Sequence, residues 1–335
     1  MPSMERESHR IVIAGASSLL GSELKSLLEE SKFAGWDFRL LDEENAAGTL
    51  TEAGGEAAVI QSVEEGSFDK ARFIFFTGSP SFTKINLAAA KRSPGKIVDL
   101  SGSLACEGEA VIWFPKLDEL RETEFPSSVA AYAVPSAAGT AAIALTLALM
   151  RCSGRKIALQ WFQPVSEAGR AGIEELESQT GQLLSFQSVG QPVFDAQVAF
   201  NMLDTYGAAS AQKLDAVCER VRAEVKVGLG KSAVLPSVQV IHAPVFYGTV
   251  FSAYAEVDTG ADAEKIARVF ADAGFAITAR GEAGPSNVSA AGEKAIQLAH
   301  PKADPVHPGT WWFWGAADNI RLPAWNAVKL AEKLA

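Results

Sequence analysis

The pattern of apolar and polar positions in the first third of the chain predicts strands that alternate with helices. A β-branched run at residues 11–14 precedes a turn of small residues, and leucines at helical spacing follow over residues 22–31. A second apolar run at residues 38–41 begins roughly 30 residues after the first, which is the length of a βαβ unit. Further strands are predicted at residues 73–76 and 97–100, and a helix at residues 82–91. This alternation predicts an α/β fold with a Rossmann-type, doubly wound parallel sheet.

The pattern changes near Pro135, where we expect a domain boundary. A long apolar helix over residues 140–150 leads into a strand at residues 157–163. Beyond it, strands are expected at residues 238–243 and 251–257, and amphipathic helices at residues 169–184, 213–226, 263–272 and 323–334. This order of elements predicts a second, α+β domain.

Composition limits the classes of protein to consider. The 335 residues are 48% hydrophobic and 21% charged, which is too much chain for one ordinary core and agrees with two domains. A net charge of −10 argues against a nucleic-acid partner. The three cysteines, Cys106, Cys152 and Cys218, form no metal-type cluster and predict free thiols in a reducing compartment. Because no apolar run reaches the roughly 18 residues that a membrane helix needs, we expect a cytoplasmic protein.

A glycine turn between the first strand and the first helix is the first candidate site. Gly15 and Gly21 bound it, with Ser17 and Ser18 between them, where helix amides can face a pyrophosphate. Ser18 stands where a glycine would let phosphate approach the backbone closely. The turn therefore predicts either a dinucleotide site or a tight turn that is only structural.

Three acids follow the second strand. Asp42, Glu43 and Glu44 are placed to accept hydrogen bonds from the hydroxyls of a ribose, which favours NAD and disfavours the 2′-phosphate of NADP. Such a run is also common in a solvated surface loop. Both interpretations stay open.

Six segments, spread over nearly the whole chain, resemble one known family in the same order. They are residues 11–31, 133–149, 162–172, 199–204, 243–257 and 316–334, which include the sequences AFNMLD and APVFYG. They resemble the aspartate-semialdehyde dehydrogenase family, and most closely a branch of paralogues that lack the catalytic cysteine. The resemblance implies a dinucleotide-binding domain of residues 1–134 plus 318–335, a catalytic and dimerisation domain of residues 135–317, and a homodimer.

The resemblance also implies that the catalytic groups are replaced. In that family a cysteine thiolate attacks the aldehyde, a histidine moves the proton, and phosphate releases the acyl group. The cysteine position reads Ala137 and the histidine position reads Thr249. The arginines that hold the substrate carboxylate and the phosphate read His242 and Ala105. Alanine has no nucleophile and threonine does not titrate near neutral pH, so no catalytic residue is intact.

Most of the frame around these positions is retained. By resemblance, Gln163 and Glu224 line the substrate pocket together with Ala105 and His242, and Asn319 touches the cofactor. Asp99 and Ser101 belong to the loop after the strand at residues 97–100. Where the family holds a 2′-phosphate with serine and arginine, this chain has Glu43 and Asn45.

Three hypotheses follow. The leading one is a homodimeric semialdehyde dehydrogenase-like pseudoenzyme that still binds NAD or a small carboxylate, without a metal. The second is an active NAD-dependent oxidoreductase that acts on a small aldehyde or acid without a covalent intermediate. The third is a structural interaction protein that no longer binds a nucleotide.

The run of aromatic residues from Trp311 to Trp314 is the last candidate. As alternating residues of a strand, two would face the core and two an interdomain cleft, where they could stack on a base or nicotinamide. Core packing is the favoured interpretation. Cys152 and Cys218 are also expected to be packing residues, and Cys106 a surface or packing thiol.

Overall fold

The computed structural model describes residues 9–231, 234–257 and 260–335. They divide into two compact units. The first unit holds the residues up to Phe114 together with Pro126–Val134 and Ala324–Ala335, and the second holds Pro115–Phe125 and Pro135–Pro323. The chain thus passes to the second unit at Pro135, where the sequence pattern changes, and returns to the first unit at Ala324.

The first unit is built on a parallel sheet. In the described part of the chain it has seven strands in the order β5-β2-β1-β6-β7-β9-β8, and every neighbouring pair is parallel. The chain moves from β1 outwards on one side and then, from β6, on the other, which is the doubly wound arrangement predicted from the sequence. The strands are β1 (Arg10–Ala14), β2 (Asp37–Asp42), β5 (Gln61–Ser62), β6 (Ala71–Phe76), β7 (Lys96–Asp99), β8 (Val111–Ile112) and β9 (Ala131–Ala133), with a separate hairpin of β3 (Leu50–Ala53) and β4 (Glu56–Val59).

Helices cover this sheet, and the first two begin at serine caps. Ser18 caps the first helix, so that helix starts three residues earlier than the leucine pattern indicates. Ser79 caps the second helix with a proline at its start. The helices are α1 (Leu19–Glu29), α2 (Pro80–Ala90), α3 (Ser103–Glu107) and, at the C-terminus, α10 (Arg321–Leu334).

The second unit is built on a mixed sheet. Its main path runs β11-β10-β12-β16-β14-β13, and β15 pairs with β16 beside that path. The central strands are antiparallel, whereas β10 and β11 are parallel. The strands are β10 (Arg155–Gln163), β11 (Ser237–His242), β12 (Thr249–Glu256), β13 (Ala276–Ile277), β14 (Gln297–Leu298), β15 (Lys302–Ala303) and β16 (Thr310–Ala317).

Helices pack on one face of the second sheet, around a central helix that is buried along its length. Every residue from Ala137 to Leu149 is buried, and many of them are alanines that allow neighbours to approach closely. A 3₁₀ turn, Val165–Ala168, follows β10. The helices are α4 (Leu117–Arg121), α5 (Ala137–Arg151), α6 (Gly169–Leu184), α7 (Leu214–Leu229), α8 (Ala263–Asp272) and α9 (Asn287–Ala290). No helix among the described residues is long and apolar enough to cross a membrane.

Candidate functional site

Ala137, which the resemblance assigns to the cysteine position, is the first residue of α5. Ala137 is buried, and Ser136 before it caps the helix by accepting a hydrogen bond from the amide of Gly139 (3.0 Å). The hydroxyl of Ser136 donates to Oε2 of Glu224 (2.6 Å). Gly139 allows this approach, because a Cβ there would overlap the Glu224 carboxylate. The helix start thus holds a buried carboxylate and no nucleophilic sulfur.

Glu224, on α7, is fully buried and completely engaged within its own unit. Its oxygens accept from the amide of Ser136 at 3.2 Å and from Nε of Arg220 at 2.9 Å. Arg220 lies one helical turn before it, so the pair forms along one face of α7. A buried carboxylate needs such partners to remain charged.

His242 and Gln163 end two paired strands. The register of β10 and β11 sets them side by side, and the amide of Ala243 donates to the carbonyl of Gln163 (2.9 Å). The ring of His242 is buried, with Nδ1 at 3.2 Å from the hydroxyl of Tyr206 and Nε2 at 3.2 Å from the carbonyl oxygen of Val198. Burial lowers the pKa of His242, so the ring is neutral near pH 7. It therefore offers neither a charge nor a free nitrogen to a carboxylate ligand.

Thr249 and Asn319 are held at the start of β12. The hydroxyl of Thr249 donates to the carbonyl of Phe162 (2.6 Å), which joins it to β10. Oδ1 of Asn319 accepts from the amide of Gly248 (3.1 Å), and its Nδ2 donates to Ser166 (3.1 Å). Thr249 is thus a strand-pairing residue, and Asn319 fixes the turn that precedes it.

Glu224 and Asn319, two of the retained groups of the second unit, are therefore bound by other groups of the protein. Gln163 is the exception: its side chain is buried, and Oε1 has no hydrogen-bond partner among the described residues. The nearby phenol of Tyr206 has a raised pKa because it is buried and because the Glu167 carboxylate lies close, so it stays protonated. Together these groups can position a polar ligand, but none of them is an activated nucleophile.

In the glycine turn of the first unit, the local structure requires glycine at both positions. Gly15 has φ +100, and a Cβ there would overlap the backbone of Gly78 after β6. A Cβ on Gly21 would overlap the carbonyl of Gly15. The hydroxyl of Ser18 points into the turn, where it donates to Gly15 (2.8 Å) and accepts from the amide of Gly21 (2.9 Å).

The acids after β2 are tied to this turn. Asp42 is buried, and its carboxylate accepts from the amides of Ser17 (2.7 Å) and Glu43 (2.9 Å). Glu43 is exposed, and its Oε1 lies 3.3 Å from the hydroxyl of Ser79. Asp42 therefore stabilises the turn, and Glu43 and Glu44 are the acids of this run that remain at the surface.

Ala105 belongs to the first unit and is buried in α3. Asp99 begins this helix by accepting from the amide of Leu104 (2.8 Å), while its other oxygen accepts from the hydroxyl of Ser101 (2.6 Å). The loop after β7 is thus held by hydrogen bonds between its own residues, and position 105 carries no cation.

The structure brings together only some of the predicted residues within one unit. The second unit holds Ala137, Gln163, Glu224, His242, Thr249 and Asn319, and the first holds Gly15, Ser17, Ser18, Gly21, Glu43 and Ala105. Sequence reasoning missed Tyr206 and Arg220. The four-residue spacing of Arg220 and Glu224 is a readable signal, whereas nothing in the sequence links Tyr206 to His242.

The cysteines and tryptophans occupy other places. Cys152 and Cys218 are buried, and burial raises the pKa of both thiols, as expected of packing residues. Trp311 is also buried, whereas Trp312 and Trp314 are 45% and 41% exposed on the outer face of the second sheet. The grooves that they line are made of residues of the second unit.

Comparison with known proteins places this chain in a family. Residues 150–322, about half of the chain, match the family described as "Semialdehyde dehydrogenase, dimerisation domain". The chain belongs to this family. This confirms the resemblance to the semialdehyde dehydrogenases that the sequence indicates.

Individual relatives cover nearly the full length. A USG-1 protein homolog of Pseudomonas aeruginosa is 29% identical over 97% of both chains. The aspartate-semialdehyde dehydrogenase 2 of Vibrio cholerae is 23% identical over 98% of both. Among solved structures, a probable aspartate-semialdehyde dehydrogenase from Pseudomonas aeruginosa superposes with a TM-score of 0.85 at 27% identity, covering 97% of this chain and 98% of that one.

Proposed function

We propose that this protein is a homodimeric relative of the aspartate-semialdehyde dehydrogenases that lacks their dehydrogenase activity. The observation that carries the proposal is the start of α5, where Ala137 offers only a methyl group at the position that the resemblance assigns to the nucleophile. A covalent route through a thioester needs a sulfur there.

The surroundings of Ala137 support the same proposal. Glu224 is occupied by Ser136 and Arg220, and Thr249 is engaged with the backbone of β10. His242 is neutral and has both ring nitrogens within hydrogen-bond distance of protein oxygens. The position that the resemblance assigns to the carboxylate-binding arginine therefore offers a carboxylate substrate no positive charge.

The test is an activity assay with a rescue. The purified protein is expected not to reduce NAD or NADP with aspartate semialdehyde and phosphate. We expect activity to appear when the family residues are restored together as Ala137→Cys, Thr249→His, His242→Arg and Ala105→Arg. A cysteine at the first residue of α5 should have a lowered thiol pKa, because the helix N-terminus stabilises the thiolate.

A matched control moves the sulfur by one residue. Ala138→Cys, combined with the same three other substitutions, places a thiol at a neighbouring buried position of α5. This variant should stay inactive. Turnover by the unmodified protein would contradict the proposal.

We further propose that the first unit binds NAD in preference to NADP. The amides of Leu19 and Leu20, which open α1, have no hydrogen-bond partner among the described residues and would hold a pyrophosphate. The carboxylate of Glu43 would accept from a ribose hydroxyl and repel a 2′-phosphate. A bound nicotinamide dinucleotide would supply hydride transfer in an active member of the family.

Calorimetry with each dinucleotide tests this proposal. We expect heat on adding NAD, and about tenfold or greater weakening for NADP, which Glu43→Ser should reduce. If neither dinucleotide binds, the protein is a structural interaction protein and not a nucleotide-binding one.

The homodimer would form through the open face of the second sheet. Ala158, Tyr254 and Trp312 lie in one row across three neighbouring strands, and none of the three is buried. Gln160 lies in the next row and is also exposed. Such a contiguous, partly aromatic face is typical of an interface.

Sedimentation tests the interface. Ala158→Arg puts a charge in the middle of the face and should give a folded monomer, because an unpaired charge is costly to bury. The control is Ala57→Arg, at an exposed alanine of the hairpin in the first unit. A dimer that survives Ala158→Arg unchanged would contradict this choice of face.

A further inference from the structure

The second unit carries a groove away from the family site. Its volume is about 960 Å³, within the range of small-molecule pockets. The start of α8, the loop at residues 279–284, the segment at residues 299–303 and strand β16 form its walls. Space exists because much of the lining has small side chains, at Ala263, Ala279, Gly281, Gly284, Ala299 and Ala303.

An indole ring in the wall is fixed in place. Nε1 of Trp314 donates to the carbonyl of Pro285 (2.7 Å), while 41% of the side chain remains exposed. Trp311 lines the same groove and is nearly buried. An aromatic surface that is already held in position loses little conformational entropy when a flat ligand stacks on it.

Two cations of the lining are free to bind a ligand. Arg280 and Lys302 are exposed, and their side chains have no hydrogen bond or ion pair with any residue that the structure describes.

Most acids of the lining are engaged. Oδ1 of Asp262 accepts from the amide of Lys265 (2.7 Å), and Oε1 of Glu264 lies 3.2 Å from Nε2 of His300. The side chain of Glu282 has no partner among the described residues. Since the lining has three acids and two cations, an anion would be held by direct contact with Arg280 and Lys302 and not by the net charge of the groove.

We propose that this groove binds a planar aromatic anion. Its ring would stack on Trp314, and its carboxylate or phosphate would be held by Arg280 and Lys302. Arginine suits this task because its planar fork matches the oxygens of such groups. The proposal does not depend on a dinucleotide in the first unit or on the missing nucleophile.

Calorimetry on the full-length protein gives the first test. The probe is naphthalene-2-carboxylate, compared with its neutral analogue 2-naphthamide and with acetate. We expect the carboxylate to bind at least about tenfold more tightly than the amide, because one charge-assisted contact is worth about that factor. Acetate, which has no ring, should give no measurable heat.

Substitutions assign the binding to the groove. Arg280→Ala and Lys302→Ala should each weaken naphthoate binding by about tenfold, and Trp314→Ala should abolish it. Trp314→Phe keeps a ring and should retain most of the affinity. The control is Lys226→Ala, which removes an exposed cation of α7 outside the groove.

Several results would overturn the proposal. One is equal affinity for naphthoate and its amide, and another is naphthoate binding that none of the groove substitutions changes. Binding seen only in the monomeric Ala158→Arg variant would also overturn it, because the second copy and not an aromatic anion would then occupy the groove. Protein that gives no heat with any probe would do the same.

Discussion

At the scale of single residues, Ser136 explains why the retained Glu224 can stay buried without a substrate. Its hydroxyl accepts from the amide of Gly139 and donates to Glu224, so one side chain both caps α5 and solvates a carboxylate. Sequence analysis can identify the cap, because serine before a helix is a recognised signal. It cannot identify the partner, which lies on another helix 88 residues further along the chain.

Replacing Ser136 should therefore reduce the free energy of unfolding by more than the loss of an ordinary helix cap does. Ser136→Ala removes the cap and one hydrogen bond to a buried charge, and we expect the free energy of unfolding to fall by about 2–4 kcal/mol. Urea unfolding measures this change in the free energy of unfolding. Ser128→Ala, at an exposed serine, should change stability by less than about 0.5 kcal/mol. Equal effects of the two substitutions would show that the contact with Glu224 contributes little.

His242 should make stability depend on pH. Its pKa in the folded protein lies below the ordinary value because of burial, so the unfolded chain binds the proton more tightly. Stability is fully present above about pH 6.5 and should fall by up to about 1.4 kcal/mol per pH unit below it.

Unfolding curves between pH 7.5 and 5 check this prediction. His242→Gln removes the titrating group and should reduce the loss of stability at low pH. His307→Gln, at an exposed position, should lose as much stability as the unmodified protein. If the slope is the same in all three proteins, other groups determine the acid sensitivity.

At the scale of elements, sequence patterns predict the longer strands and helices and miss the short pieces. The alternation that indicates β1, β2, β6 and β7 is confirmed, because each is an apolar run buried in a parallel sheet. Two- and three-residue strands such as β9 and β14 carry too few residues for a pattern. Helix starts shift when a cap decides them, as at Ser18 and Ser136.

The glycine turn gives a test at this scale. Gly15→Ala places a methyl group at φ +100 and against the backbone of Gly78, and we expect it to cost more than about 3 kcal/mol of stability. Gly48 has φ +87 but open space around its Cβ position, so Gly48→Ala should cost only about 1–2 kcal/mol. Thermal unfolding compares the two. Similar losses would mean that the conformation of the turn, and not the close approach, makes Gly15 necessary.

At the scale of the whole molecule, Ala324–Ala335 belong to the same unit as β1 and α1. The C-terminal helix contributes Ala324, Ala327, Val328, Leu330 and Ala331, all of them fully buried. Lys32 donates to the carbonyl of Glu332 (2.7 Å), which ties α10 to the segment after α1. The sequence predicts this helix and the resemblance assigns it to the first domain, whereas the contacts that bury it cannot be read from a linear pattern.

Removing the last helix should destabilise the first unit and leave the second unit folded. A chain that ends at Pro323 loses the buried residues of α10, so we expect backbone amides of β1 and β6 to exchange rapidly with solvent. Amides of β10 and β12, in the second unit, should stay protected. Hydrogen exchange measured by mass spectrometry separates the two sets, and removal of Ala335 alone is the control. Protection of β1 and β6 in the shortened chain would contradict this role of α10.

The division of the chain also sets the order in which the protein can fold during its synthesis. The second unit ends at Pro323 and is complete as soon as that residue has left the ribosome. The first unit begins earlier but has to wait for Ala324–Ala335, which are made after the whole of the second unit. Its nascent sheet, with apolar strands such as Phe73–Phe76 in β6, is therefore expected to stay exposed until Ala324–Ala335 have been made, so this part of the newborn chain should need a chaperone most.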